Sequence, residues 1–139
     1  FFHAPATPTS YTPPLPAALP VQRCVKNQGL EAQVAFMGFV SDEELKWLYQ
    51  TAQAYVFPSL SEGFGLPPLE AMVHGCPVVS SNATCLPEIN GDAAEYFDPE
   101  DVEAMASAVN KVLGSEKRRT ELITAGKKQV SKYSWQRMA

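Results

Sequence analysis

The sequence predicts an α/β fold in which a parallel, doubly wound sheet carries helices on its faces, and three observations predict it. Short, mostly apolar runs (Val34-Ala35-Phe36-Met37, Ala54-Tyr55-Val56-Phe57, Val78-Val79-Ser80 and Glu95-Tyr96-Phe97) alternate with longer stretches in which apolar residues recur at helical spacing. Runs without polar alternation suit strands buried on both faces, as parallel strands are. The second run leads through Ser59-Leu60-Ser61-Glu62-Gly63-Phe64-Gly65-Leu66-Pro67-Pro68-Leu69-Glu70-Ala71-Met72 into a helical pattern, a strand-to-helix junction built on glycine and proline.

In chain order, residues 1 to 20 contain six prolines and read as an extended or disordered arm, since proline suits neither a helix interior nor a central strand. Val21 to Gly29 reads as a short helix stopped by its glycine. Val34–Met37 is the first expected strand and ends at Gly38. Ser41 and Glu44 form a capping box for a helix whose Leu45, Leu48, Tyr49 and Ala52 lie on one stripe. The strand Ala54–Phe57 ends at Pro58. The next helix starts at Pro67 and stops at Gly75, and His74 in its last turn suits the helix dipole better than catalysis. After Val78–Ser80 come a loop with a helical turn over Asn82–Ile89 and a turn at Asn90-Gly91. Glu95–Phe97 is the last expected strand. Asp98–Asp101 starts a helix that carries Val102, Met105, Ala106, Val109, Val112 and Leu113 up to Gly114. Residues 115 to 132 form a basic amphipathic helix with a solvated face, and Tyr133-Ser134-Trp135 restarts a helix.

Composition bounds the function. The 139 residues, 45% hydrophobic and 19% charged, are one domain's worth of soluble, globular chain. A net charge of −4 argues against a nucleic-acid partner. No run is long enough for a transmembrane segment, and the odd set of Cys24, Cys76 and Cys85 reads as reduced thiols of a cytoplasmic protein, without a zinc-site spacing.

The junction from Ser59 to Met72 is where a site would lie. Gly63 and Gly65 let the backbone turn sharply and come close to a ligand, and a helix N-terminus presents free N–H groups and partial positive charge to a phosphate. Glu62 precedes the turn and Glu70 lies one helical turn beyond it. Carboxylates only accept hydrogen bonds, so beside a phosphate they suit hydroxyls such as those of a sugar. The alternative is a plain structural turn, with Glu62 capping the loop and Glu70 paired to a lysine.

Glu62-Gly63-Phe64-Gly65-Leu66-Pro67-Pro68-Leu69-Glu70, followed by Ala71-Met72 and Gly75-Cys76-Pro77-Val78-Val79, resembles the E-x7-E signature of retaining glycosyltransferases of the GT-B fold (family 4, or group 1). The resemblance runs from about Val34 to Trp135. It implies a Rossmann-like parallel sheet with flanking helices, the C-terminal, donor-binding half of a two-domain enzyme. It further implies that Glu62 is the catalytic-site glutamate holding donor-sugar hydroxyls, that Glu70 grips the ribose, and that Gly63, Phe64, Gly65 and Leu66 meet sugar and diphosphate. Gly38, Phe39 and Val40 would lie along the nucleobase. The nucleotide-sugar is substrate, and neither cofactor nor metal is implied.

The match is incomplete toward the N-terminus. The Arg or Lys pair that the family places ahead of the strand matching Val34 has no counterpart, and the acceptor-binding domain is missing. The expectation is therefore a fragment, with residues 21–139 a partial GT-B domain that binds donor weakly and is inactive in transfer by itself. A non-catalytic nucleotide-binding or oligomerising module is the alternative, and a GT-B-like epimerase fits the glutamate spacing less well. With two family strands missing, Val34–Met37 should either move beside Ala54–Phe57 or leave an edge for a second copy of the chain, a homo-oligomer through the incomplete sheet.

Overall fold

The computed structural model describes residues 19–133. The proline-rich arm therefore lies outside the described residues except at its inner end, and so do Ser134 and Trp135 of the expected helix restart.

Two compact units divide the chain, residues up to Ser41 and residues from Asp42. In the first, α1 (Leu19–Asn27) begins two residues before the expected helix, with Pro20 in its first turn where no amide partner is lost. Gly29, at φ +67°, ends it in the left-handed region.

Residues 34–40 are irregular, and here one expectation is corrected: Val34–Met37 is not a strand. Val34, Phe36 and Met37 are 37%, 46% and 55% exposed, so the run has no apolar layer around it. A strand is held by a ladder to its neighbours, and the described residues of the unit up to Ser41 hold no other strand to form one.

The second unit follows the expected alternation: α2 (Asp42–Thr51), β1 (Tyr55–Phe57), α3 (Leu66–Val73), β2 (Val78–Ser81), α4 (Leu86–Asn90), a 3₁₀ turn (Gly91–Ala93), β3 (Ala94–Phe97), α5 (Val102–Leu113) and α6 (Glu116–Val130). The strands form one parallel sheet in the order β1-β2-β3, with Tyr55 opposite Val78 and Val78 opposite Ala94. The order equals the chain order because each strand returns through a helix to the next position.

Alternation along β2 splits the interior into two layers. Val78 packs with Tyr49, Leu69, Met72, Ile89 and Ala94, while Val79 packs with Phe97, Ala108, Val112 and Leu122. Both valines are fully buried, as the run without polar alternation requires. Gly126 lets α6 cross α3 closely: a Cβ there would stand 3.1 Å from Met72 Cγ. Asp101 and Ser115 cap α5 and α6, their side chains accepting from the Ala104 and Arg118 amides. Among the described residues no helix is long and apolar enough to cross a membrane.

Candidate functional site

Because all three strands run the same way, the loops after β1, β2 and β3 emerge at one edge of the sheet, where α/β sheets take ligands. The β1–α3 loop carries Glu62, Gly63, Phe64 and Gly65, and α3 begins at Leu66. Gly65 is its N-cap at φ +84°, and Pro67 and Pro68 occupy the first turn. Those prolines preset the helical φ and also remove two of the amides that a helix N-terminus would otherwise offer.

The free donors therefore lie in the loop itself. The amides of Gly63, Phe64, Gly65 and Leu66 have no hydrogen-bond acceptor among the described residues. Unpaired N–H groups at the positive end of a helix are suited to a negatively charged group.

The glycines differ in their reasons. A Cβ on Gly65 would fall 2.5 Å from Leu86 Cδ2, so α4 and the positive φ both demand glycine. At Gly63 φ is not in the left-handed region, and no atom lies within 4 Å of a built Cβ. The space beside that amide is open. The half-buried Phe64 ring meets Tyr133 edge-to-face, with centroids 5.8 Å apart.

The carboxylates sit differently. Glu62 is half-buried, and its Oε1 accepts a 2.8 Å hydrogen bond from the Ser59 hydroxyl, for which the Ser61 carbonyl is a longer acceptor at 3.2 Å. Glu70 is exposed on α3, and neither acid has an ion-pair partner among the described residues. The lysine partner of the structural-turn alternative is thus not found, whereas the loop-capping part holds for Glu62.

Glu70 lies beside a cavity of about 270 Å³, which Phe64, Leu66, Val73 and Tyr133 also line and Glu62 does not. Both acids nevertheless act on one group. Burial pushes the Tyr55 phenol far up, and Tyr49 and the negative charges of Glu70 and Glu62 push it further. Tyr49 is raised by burial and then by Glu70, and burial pushes the Cys76 thiol to about 11.

Gly38, Phe39 and Val40 belong to the unit that ends at Ser41. Gly38 has φ +64°, Phe39 is 91% exposed and Val40 is half-buried.

Sequence reasoning did not find the residues that hold Glu62. Thr84, in the β2–α4 loop, accepts from the Glu62 amide at 3.2 Å and donates to the Glu62 carbonyl at 3.3 Å. The Cys85 thiol reaches the same carbonyl at 3.4 Å. Buried Ser81 donates to the Ser59 carbonyl at 2.5 Å. The one available signal was Ser80-Ser81, two polar residues closing an apolar strand; nothing in the sequence marks Thr84.

A profile of the family described as "Glycosyl transferases group 1" matches residues 18–129. The chain is 43% identical over 106 residues to O-antigen chain mannosyltransferase B of Escherichia coli, covering 76% of this chain and 28% of that protein. Sucrose-phosphate synthase of Thermosynechococcus elongatus superposes with a TM-score of 0.79 at 27% identity, over 87% of this chain and 31% of that one. The C-terminal domain of the group 1 family protein LpcC of Francisella tularensis gives 0.72 at 30% identity, over 85% and 64%. The chain thus spans under a third of the mannosyltransferase it matches. With its Rossmann-like parallel sheet, flanking helices and profile match, this chain belongs to the group 1 glycosyl transferases as a partial GT-B domain.

Proposed function

We propose that this chain is the donor-binding half of a retaining glycosyltransferase, which transfers a sugar from a nucleoside-diphosphate sugar to an acceptor. The observation that carries this reading is the run of unpaired amides from Gly63 to Leu66 between two acids without ion-pair partners. The diphosphate lies on those amides, which would stabilise the charge that grows on it as the glycosidic bond breaks. Glu62, behind the turn, accepts from sugar hydroxyls at the reacting face, and Glu70 accepts from the ribose. Mannose is the first sugar to try, because the E. coli relative is named a mannosyltransferase. No metal takes part in this scheme, so chelators should leave binding unchanged.

Calorimetric titration of the chain with UDP-, GDP- and ADP-sugars tests the reading. One of them should saturate, weakly, and Glu70→Ala should weaken it about tenfold, as loss of a charged hydrogen-bond acceptor does. If neither protein binds any of the three, the reading falls.

A non-catalytic nucleotide-binding or oligomerising module derived from such a domain is the second reading. The outer edge of β1, which has no strand against it among the described residues, favours it. Sedimentation equilibrium with a concentration-dependent dimer, together with nucleotide binding insensitive to Glu62→Ala, would select it.

A further inference from the structure

We infer that Ser59 and Thr84 are positioning residues for Glu62, part of a clamp by which the β2 end and β2–α4 loop fix this carboxylate against a donor sugar. The inference rests on the donor-site reading above and goes beyond it, since it assigns roles to residues outside the motif.

The clamp holds Glu62 at three points. One hydroxyl, that of Thr84, takes both the amide and the carbonyl of Glu62 (3.2 and 3.3 Å), and Cys85 Sγ adds a contact to that carbonyl at 3.4 Å. Ser59 Oγ donates to the carboxylate itself at 2.8 Å. Ser59 in turn is anchored through its own carbonyl by Ser81, whose hydroxyl lies fully buried at the end of β2. The tethers to Glu62 start from two loops, so its side chain is set relative to both β1 and β2.

Strain argues that Thr84 is there for its hydroxyl. It has φ +50°, the one non-glycine residue in the left-handed region among those described. A β-branched side chain is disfavoured there, whereas glycine would adopt the same backbone freely. Thr84 is also exposed, so apolar packing does not explain it. What threonine supplies and glycine lacks is the paired hydrogen bond to Glu62. Strained residues of this kind hold sites in place where geometry must be kept before the ligand arrives.

The Ser59 contact bears on the carboxylate alone, whereas the Thr84 and Cys85 contacts to the Glu62 carbonyl also hold the peptide that carries the Gly63 amide. The signature of Ser59 is therefore a selective loss, which a merely structural residue would not produce. The experiment titrates the parent, Ser59→Ala, Thr84→Gly and Thr84→Ser with a nucleoside diphosphate and with the matching nucleoside-diphosphate sugar. Amide hydrogen exchange at Glu62 and thermal melting are measured on the same proteins.

In Ser59→Ala the sugar nucleotide should bind about fivefold more weakly, the size of one lost hydrogen bond, while the nucleoside diphosphate changes less than about twofold; in Thr84→Gly the nucleoside diphosphate should weaken as well, by less than the sugar nucleotide. Thr84→Gly should melt no lower than the parent and exchange faster at the Glu62 amide, and Thr84→Ser should restore both binding and protection. Equal weakening of both ligands in Ser59→Ala, or unchanged exchange at Glu62 in Thr84→Gly, would overturn the clamp. If the parent binds neither ligand, the donor-site reading fails. The exchange data then decide the clamp alone, with unchanged protection in Thr84→Gly counting against it and lost protection upholding it.

Discussion

At residue 65 a side chain has nowhere to go, because the backbone is left-handed and Leu86 already fills the space. Gly65→Ala should therefore destabilise the fold by about 2–4 kcal/mol, combining backbone strain with overpacking. Gly63 meets neither constraint. Gly63→Ala should leave stability within about 0.5 kcal/mol of the parent while weakening nucleotide binding, because the methyl group would occupy the open space beside the amide. Denaturant melts and calorimetry on the two variants separate a glycine required by the chain from one required by a ligand; equal stability losses would refute the distinction. The sequence marks both glycines alike, since a Gly-x-Gly turn does not say which neighbour comes close. Glu62 and Glu70 were legible as candidates through their placement around that turn. Thr84 was not, because its role arises from a contact 22 positions away along the chain.

Among the elements, β3 is tied to the helices behind it through Glu95, which binds Lys111 of α5 at 2.7 Å and Arg118 of α6 at 2.8 Å. Burial alone would raise the Glu95 carboxyl, but hydrogen bonds and charge from Lys111 and Arg118 outweigh it and hold it below its ordinary 4.5. A carboxyl lowered on folding contributes stability that is complete above its unfolded value and is lost as pH falls through its folded one. The parent should exceed Glu95→Gln by about 1–2 kcal/mol near neutral pH, and the gap should close as pH drops below about 4.5. Urea melts from pH 7 to pH 3 measure this, and a gap independent of pH would contradict it. The sequence placed Lys111 and Arg118 on helices and read the basic character of α6 as solvation; the pairing with Glu95 needed the third dimension. The strand-helix alternation from Asp42 onward was readable because each apolar run has a helical stretch to cover it. Val34–Met37 misled for the converse reason: an apolar run makes a strand only beside another, and the described residues of its own unit hold no other strand.

For the whole molecule, the fold class followed from alternation and the family from the E-x7-E junction. The chain spans 28% of the E. coli mannosyltransferase it matches, and transfer requires an acceptor as well as a donor. The 139-residue polypeptide alone should therefore bind donor but release no sugar to an acceptor, as radiolabelled donor would report. Measured turnover by this chain alone would refute that division of labour. The most direct test of the central claim is an amide-resolved NMR titration of the chain with a nucleoside-diphosphate sugar. The account predicts that the largest saturable shifts fall on Gly63, Phe64, Gly65 and Leu66, and that Glu70→Ala moves the midpoint about tenfold to higher concentration. Shifts that are absent, or that gather away from these four amides, would contradict it.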